Sequence, residues 1–393
     1  MTAVDIVGGV YREKCAFPYW DELFGSAGRA AMALAASGLT LRLHTALSSR
    51  EKISAAAIFE QYGVSIFVTD RPEPIVFDYV HSLAVPAITP QLPLAPVKVP
   101  PIRNKIVIKF GMLESDPEVV SDYCVYDPQS AFEVLPFSAS RSQAAHLAIV
   151  ANKGEALRMT ETADLAAAAK TLQDRDGAEV VIIKDGLNGA AVYHEGKVSA
   201  VPAYKTTNVF TIGSGDVFVA AFTKAWAVDR MDPAEAANIA SLATAAYVES
   251  RILPLSNEAI STNREPARRT GGNVYLAGPF RETGQRMLID DVRNHLRDLG
   301  MSVFSPIHDV GPGSADIVVQ HDISAIRDCD VVFALLNGSS PGTVFEVGFA
   351  RALEKPVFCV AQNMREVDLK LPRGTGAYLH DDLVSAMFQI AWR

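Results

Sequence analysis

Asp330-Val-Val-Phe-Ala-Leu-Leu-Asn-Gly338-Ser339-Ser340-Pro341-Gly342-Thr343-Val-Phe-Glu346-Val-Gly-Phe-Ala350 reads as a strand, a small-residue loop and a helix in direct succession. The run Val331 to Leu336 is apolar without alternation, as a strand covered on both faces of a parallel sheet requires. Gly338 to Thr343 then forms a turn whose backbone amides can face an anion at the helix start. Glu346 sits one turn into that helix, beside whatever the loop holds, which suits chemistry on a glycosidic bond. Thr343-Val-Phe-Glu346 also fits a helix capping box, with Glu346 returning to the Thr343 amide; the fragment alone leaves both readings open.

Outward from this stretch the strand and helix pattern extends in both directions. Val274 to Ala277 reads as a first strand running into a Gly278 turn, Thr283 to Leu299 as a helix closed by Gly300, and Met301 to Phe304 as a second strand. His321-Asp322 opens a helical stretch before Asp330, and Pro356 to Val360 and about Asp381 to Ala391 add a strand and a final helix. Together these describe a small doubly wound parallel-sheet domain, Rossmann-like or flavodoxin-like. With Asn273-Val-Tyr275-Leu-Ala-Gly278-Pro-Phe280-Arg281 and His321-Asp322 included, the segment from about Asn273 to Val360 resembles the nucleoside 2-deoxyribosyltransferase family, within it the nucleoside 5'-monophosphate N-glycosidases.

That resemblance implies that Glu346 is the nucleophile at the anomeric carbon, Tyr275 the phenol that orients it, and Asp322 a second carboxylate that contacts the sugar or protonates the leaving base. An oxocarbenium-like centre needs a nearby anion and the departing nitrogen needs a proton, so two acids have two tasks. Relatives acting on free nucleosides usually carry an Asp just before the Gly of the loop. Here the loop is Ser339-Ser340-Pro341-Gly342-Thr343, and a Ser340 hydroxyl with the Gly342 and Thr343 amides would accept a 5'-phosphate that a carboxylate would repel. Gly278 and Arg281, in the first loop, join the expected anion site. An ordinary polar turn is the bland alternative.

The first two thirds of the chain carry a different signature. Phe210-Thr211-Ile212-Gly213-Ser214-Gly215-Asp216-Val-Phe218 precedes a helical run from Val217 to Trp226. Glycines let the backbone wrap an oxyanion, and an acid there can take the proton of an attacking hydroxyl. Asn152-Lys-Gly-Glu155 follows the apolar run Leu147 to Val150, and fits a capping box as well. Val180 to Lys184 leads into Gly186 and Gly189, Cys124-Val-Tyr-Asp127-Pro128 ends another strand, and Phe24-Gly25-Ser-Ala27-Gly28-Arg29 is a small-residue helix after Val7-Gly8-Gly9. In this order the motifs resemble the PfkB carbohydrate and nucleoside kinases, of ribokinase-like fold. The resemblance implies an anion hole at Gly213, Ser214 and Gly215, a catalytic base at Asp216, and ATP contacts from Asn152, Glu155, Lys184, Gly186, Gly189 and Thr211. It also implies Mg2+ held indirectly through Glu155, and substrate contacts from Glu13, Gly25 and Arg29. Arg29 stands where that family commonly has Asn and Glu13 near its usual Asp, so the acceptor cannot be copied from the family; Phe210 replaces a common Asp before the Thr, a departure that counts against activation by a monovalent cation.

The expected fold class is therefore α/β, a ribokinase-like domain over residues 1–257, a polar linker over 258–272 ending in two glycines, and the smaller domain over 273–393. A chain of 393 residues suits this division, and its 49% apolar and 21% charged composition is ordinary for a globular protein. A net charge of -9 gives no electrostatic footprint for nucleic acid or anionic membrane. Cys15, Cys124, Cys329 and Cys359 have no zinc or disulfide spacing and read as buried thiols. The start lacks a signal pattern and no apolar run approaches about 18 residues. A cytoplasmic location, small nucleoside or nucleotide partners and at least a homodimer are expected, with Gln362-Asn363-Met364 a segment offered to a neighbouring subunit. Pro90 to Pro101 reads as an extended crossing between lid strands.

The leading expectation is an enzyme with two activities: ATP-dependent 5'-phosphorylation of a nucleoside, then cleavage of the nucleoside 5'-monophosphate. One alternative reverses the order, so that a deoxyribosyltransferase or nucleosidase releases a sugar for the kinase; another makes the kinase-like domain a non-catalytic regulator. The loop reading has a direct consequence. Ser340→Asp places a carboxylate against phosphate oxygens, and like charges about 4 Å apart repel by roughly 4 kcal/mol at a surface-like dielectric. The ratio of kcat/KM for the monophosphate over the free nucleoside is expected to fall at least about tenfold in this variant, since each 1.4 kcal/mol is a factor of ten; an unmoved ratio would show that the loop does not read phosphate.

Overall fold

The computed structural model describes residues 2–129 and 134–393. The chain divides into two compact units, residues 1–206 with 210–267, and residues 207–209 with 268–393. The first is built on a nine-stranded sheet. Its order is Lys197–Val201, Ala190–His194, Val180–Lys184, Gln143–Asn152, Val119–Asp127, Ile102–Phe110, Ala3–Val7, Thr40–Leu47 and Val64–Asp70. All neighbours are parallel except the hairpin at one edge, Ala190–His194 with Lys197–Val201, and its junction with Val180–Lys184. The unbroken apolar runs at Leu147 to Val150 and Val180 to Ile183 have this origin, because both faces are packed: residues 147–151 and 180–183 are all buried.

A second, four-stranded sheet comprises Trp20–Leu23, Arg12–Cys15, Val76–Tyr79 and Ala87–Thr89. Period-two alternation puts Glu13 opposite Phe77, and Phe77 opposite Ile88, as one row across three strands. After Ala87–Thr89 the proline-rich stretch leaves this sheet and enters the central strand Ile102–Phe110. It is a crossing from one sheet to the other, not between two lid strands, because Pro cannot donate to a ladder and breaks the pairing where it clusters.

Gly213 takes a left-handed φ of 79° and starts the helix Ser214–Thr223, three residues before the apolar face that marks it in sequence. The helix runs on into a wider π turn, Lys224–Val228, and packs on Pro233–Ser250, which Asp232 caps by accepting from the Ala234 and Glu235 amides. The polar segment expected as a linker is partly structured: Ser256 caps the short helix Asn257–Ser261, Pro266 bridges Tyr204, and the Ala267 amide donates to Ala203 at 2.7 Å.

The second unit is a five-stranded, wholly parallel sheet in the order Ser302–Phe304, Asn273–Ala277, Val331–Leu335, Val357–Val360, Tyr378–His380. In chain order this is 2-1-3-4-5, the flavodoxin-like arrangement, whose topological switch point lies between its first and third strands. Ligands bind in such sheets at the carboxyl ends of the strands beside that point. The four cysteines are free and buried, and among the described residues no helix is long and apolar enough to cross a membrane.

Phe333, at the middle of the central strand, is fully buried. Phe333→Ala should destabilise the second unit by about 3–5 kcal/mol, the cost of an aromatic cavity in a packed core. Hydrogen exchange of the amides in 274–360 measures it, and exchange as slow as in the unaltered protein would show that the strand is not the core of this unit.

Candidate active sites

In the first unit a cavity of about 650 Å³ runs between the two sheets' residues and the start of helix Ser214–Thr223. One end is lined by Glu13, Tyr11, Phe77, Tyr79 and Ile88; the other by Gly186, Gly189, Ala203, Ser241 and Thr244. Between them lie Asp127, Asn152, Glu155, Lys184 and the turn Gly213-Ser214-Gly215-Asp216. The rings of Tyr11 and Phe77 stack at 5.3 Å and those of Phe77 and Tyr79 at 6.5 Å, so the first end has an aromatic wall.

Asp216 is in the first turn of its helix and 5% exposed. Arg29 Nη1 donates to Asp216 Oδ2 at 2.9 Å and to Glu13 Oε1 at 3.1 Å, Nη2 donates to Glu13 Oε2, and Nε donates to the Tyr247 hydroxyl at 2.9 Å. Tyr247 in turn donates to the Ile212 carbonyl at 3.0 Å. Arg29, expected to contact substrate, is 0% exposed and is not among the residues that line the cavity; it holds the two acids. A Cβ at Gly213 would stand 2.1 Å from Arg29 Nε, which is a second reason for glycine there besides its φ. The other oxygen of Asp216 accepts from Gln129 Nε2, and Gln129 accepts from the Ser26 hydroxyl.

Lys184 donates to Asp127 Oδ2 at 3.0 Å, and its ammonium lies 3.1 Å from where a Cβ of Gly215 would be, which brings a cation to the glycine turn. Burial pushes the Asp127 carboxyl up to about 7 against the pull of Lys184. Asn152 and Glu155 do form a capping box, with the Glu155 amide donating to Asn152 Oδ1 and the Asn152 amide to Glu155 Oε2, both at 2.8 Å, and both residues also line the cavity. Gly25 lines it too. Thr211 does not: its hydroxyl donates to the Ser82 carbonyl.

In the second unit the helix starts at Pro341, with Ser340 as a cap residue that makes no side-chain cap bond. Thr343 is therefore already inside the helix, and Glu346 does not close a box with it: the Tyr275 hydroxyl donates to Glu346 Oε1 at 2.8 Å. Tyr275 comes from the first strand and Glu346 from the helix after the third, so the pair spans the switch point. Burial raises the Glu346 carboxyl to about 7, the Tyr275 hydrogen bond holds it down, and Asp322 raises it. Asp322 lies on the helix Ala315–Asp328 with Oδ1 buried and without a partner; burial raises its own proton affinity. Such an orphaned acceptor is the group a protonated acid or a ligand donor satisfies.

Gly338 and Ser339 both have left-handed φ, 88° and 48°, which turns the chain sharply before Ser340. Gly278 lets the first loop lie close to the third strand, since a Cβ there would be 3.2 Å from that of Leu335. Arg281 is exposed. Gln362 and Met364 lie against the loop of their own chain, the Gln362 amide donating to Asn337 Oδ1 at 2.9 Å and Ser339 Oγ lying 3.5 Å from Met364 Sδ. Sequence reasoning passes over Gln285, whose amide nitrogen lies 3.1 Å from where a Cβ of Gly338 would be, and Gln129, Ser26 and Tyr247. Gln129 alone left a signal, as it follows the strand end Asp127-Pro128 where ligand crevices open.

Residues 121–258 match the model of the pfkB family carbohydrate kinases, and residues 274–385 that of nucleoside 2-deoxyribosyltransferase. The chain thus carries a kinase-family segment followed by a deoxyribosyltransferase-family segment, both indicative of an enzyme. The kinase match includes Asp216 but not Glu13, Gly25 or Arg29. No curated protein matches the chain. Among solved structures it is similar to aminoimidazole riboside kinase from Salmonella enterica, with 16% identity and TM-score 0.50 over 67% of this chain and 100% of that one. It is also similar to a pyrophosphate-dependent kinase in the ribokinase family, with 15% identity and TM-score 0.50 over 66% and 100%. A mutant of phosphofructokinase-2 from Escherichia coli aligns at 13% identity and TM-score 0.50 over 66% and 97%. At these identities the likeness establishes the ribokinase-like fold.

The site in the second unit has a pH signature. A carboxyl raised to about 7 is half ionised there, so any rate that needs Glu346 as an anion should rise with pH through a limb near 7. Tyr275→Phe removes the bond that lowers it and should move the limb up; Asp322→Asn removes the charge that raises it and should move it down. The kcat/KM profile for base release checks both directions, and a limb unmoved by either substitution would place the titration elsewhere.

Proposed function

We propose that the protein phosphorylates a nucleoside on its 5'-hydroxyl and then cleaves the N-glycosidic bond of the resulting 5'-monophosphate, giving a free base and a sugar 5-phosphate. The observation that carries the reading is the Tyr275–Glu346 hydrogen bond at 2.8 Å, one turn beyond a helix start that holds no acid. Ser340 has no cap bond to make, and the first-turn amides of Gly342 and Thr343 have no helical acceptor, so this end can take the phosphate oxygens.

In the first unit, Asp216 receives the proton of the acceptor hydroxyl as its oxygen bonds to the terminal phosphorus of ATP and ADP departs. The amides of the Gly213 to Gly215 turn and the Lys184 ammonium face the charge that builds on the transferred group. Asp127 and Glu155, carboxylates beside that cation, fit a magnesium ion bound with the nucleotide, which supplies charge neutralisation to the phosphates. The aromatic wall of Tyr11, Phe77 and Tyr79 suits a nucleobase stacked at the acceptor end.

In the second unit, the Glu346 carboxylate bonds to the anomeric carbon while the bond to the base breaks, and Asp322, protonated, gives its proton to the departing nitrogen. Water then attacks the glycosyl ester, Asp322 takes its proton, and Glu346 is released. Both activities on one chain keep the monophosphate near its consumer. A neighbouring copy completing the second site, as in at least a dimer, remains part of this proposal.

One observation favours a regulatory first unit instead: both oxygens of Asp216 are engaged, by Arg29 and Gln129. A panel of nucleosides incubated with and without Mg-ATP, with products identified by mass spectrometry, separates the readings. ATP-dependent monophosphate and base support phosphorylation first; base release without ATP reverses the order; ATP binding without turnover supports the regulator. Glu346→Gln is expected to stop base release while leaving phosphorylation intact, and Asp216→Asn to slow phosphorylation by about 100-fold or more, the scale of a positioned base, while supplied monophosphate is still cleaved. Near-unaltered cleavage by Glu346→Gln would sink the nucleophile assignment.

A further inference from the structure

We propose that Gln129 is a displaceable cover on Asp216, which the acceptor hydroxyl must push aside, so that the acid meets an acceptor and not water. Asp216 is only 5% exposed, and among the described residues two side chains hold its carboxylate: Arg29 on Oδ2 and Gln129 on Oδ1. These two partners differ in how readily they can leave. Arg29 is fully buried, donates also to both Glu13 oxygens and to Tyr247, and is packed against Gly213 and near the rings of Phe24 and Tyr247. Removing it would leave two buried acids without their cation.

Gln129 is half-buried and lines the cavity; its backbone amide donates to Asp127 Oδ1 at 3.2 Å, while among the described residues its side chain has, besides Asp216, one neutral partner, the Ser26 hydroxyl donating to its amide oxygen. Its φ of 24° is one that residues with side chains seldom adopt, so its backbone is held in a costly conformation. An incoming hydroxyl that donates to Oδ1 replaces one hydrogen bond with another. Water makes the same bond without the binding contacts at the aromatic end that would offset displacement of the amide. Gln129 thereby acts as a positioning residue that ties use of the base to acceptor occupancy.

This inference rests on the kinase reading of the first unit, and the test separates the two. In the full chain, Gln129→Ala is expected to raise acceptor-independent ATP hydrolysis relative to phosphoryl transfer by about tenfold, the scale of one hydrogen bond to a charged group. Ser26→Ala, which only frees the amide, should change the ratio in the same direction by less. A second readout needs no turnover: labelling of the Asp216 carboxyl by a water-soluble carbodiimide, read by mass spectrometry of its peptide, should be faster in Gln129→Ala than in the unaltered protein. A faster label with no transfer to any nucleoside keeps the cover and removes the kinase reading. Transfer with an unchanged hydrolysis ratio and unchanged labelling overturns the cover.

Discussion

The acceptor end of the first unit depends on one buried guanidinium. Taking a charge out of water costs several kcal/mol per ion unless hydrogen bonds and opposite charge replace the lost solvation. Arg29 meets that condition with four donated bonds, to Glu13, Asp216 and Tyr247, which come from a lid strand, the start of helix Ser214–Thr223 and helix Pro233–Ser250. Elements far apart in sequence are thus fixed around a single planar group. The two carboxylates lift its proton affinity against burial, so Arg29 stays charged and the acids keep their partner. Replacing it would do more than alter substrate contacts: unpaired buried carboxylates cost about 3–5 kcal/mol when one partner of such a pair is removed.

The second unit is organised by topology before chemistry. Its strand order creates the crevice between the strand carrying Tyr275 and the loop leading to Glu346. A phenol from a strand and a carboxylate from a helix can then meet. Tyr275 is fully buried and stacked on Phe304 at 5.6 Å, which fixes the ring and aims the hydroxyl. The loop gains its sharp turn from Gly338 and Ser339, and from Pro341, which lacks an amide proton where none is needed.

Much of this was legible in the residues. Unalternating apolar runs marked the parallel strands, glycine and proline marked the turns, and the Asn152–Glu155 cap was readable from spacing alone. Ambiguity arose where a motif had two local solutions: Thr343 to Glu346 obeys the cap spacing, but the helix already starts at Pro341 and Glu346 accepts from Tyr275, 71 residues away. The fate of Arg29 was illegible for the same reason, since its partners lie up to 218 residues distant and nothing local says that a cation on a small-residue helix will be sealed in. Thr211 shows the converse, a residue in the right motif whose hydroxyl is drawn off by the carbonyl of Ser82, 129 residues earlier.

Asp216 and Glu346 are held in different ways. Asp216 is paired with a fixed cation. Glu346 has burial and Asp322 against one Tyr275 hydrogen bond, Asp322 has burial against the neighbouring His321, and both carboxyls are pushed up. Two such acids in one site favour holding a single proton between them, because ionising both places like charges together in a poorly solvated place. One ionised and one protonated carboxyl is the state that attack at carbon and protonation of a leaving nitrogen require. In the proposed reaction, a phosphate at the neighbouring helix start would add negative charge and push the proton affinity of Glu346 higher still. Neutral donors at Ser340, Gly342 and Thr343 do not offset that push as a buried cation would. On that proposal the Tyr275 hydroxyl, which lowers the Glu346 carboxyl, is what would keep Glu346 ionised with substrate bound.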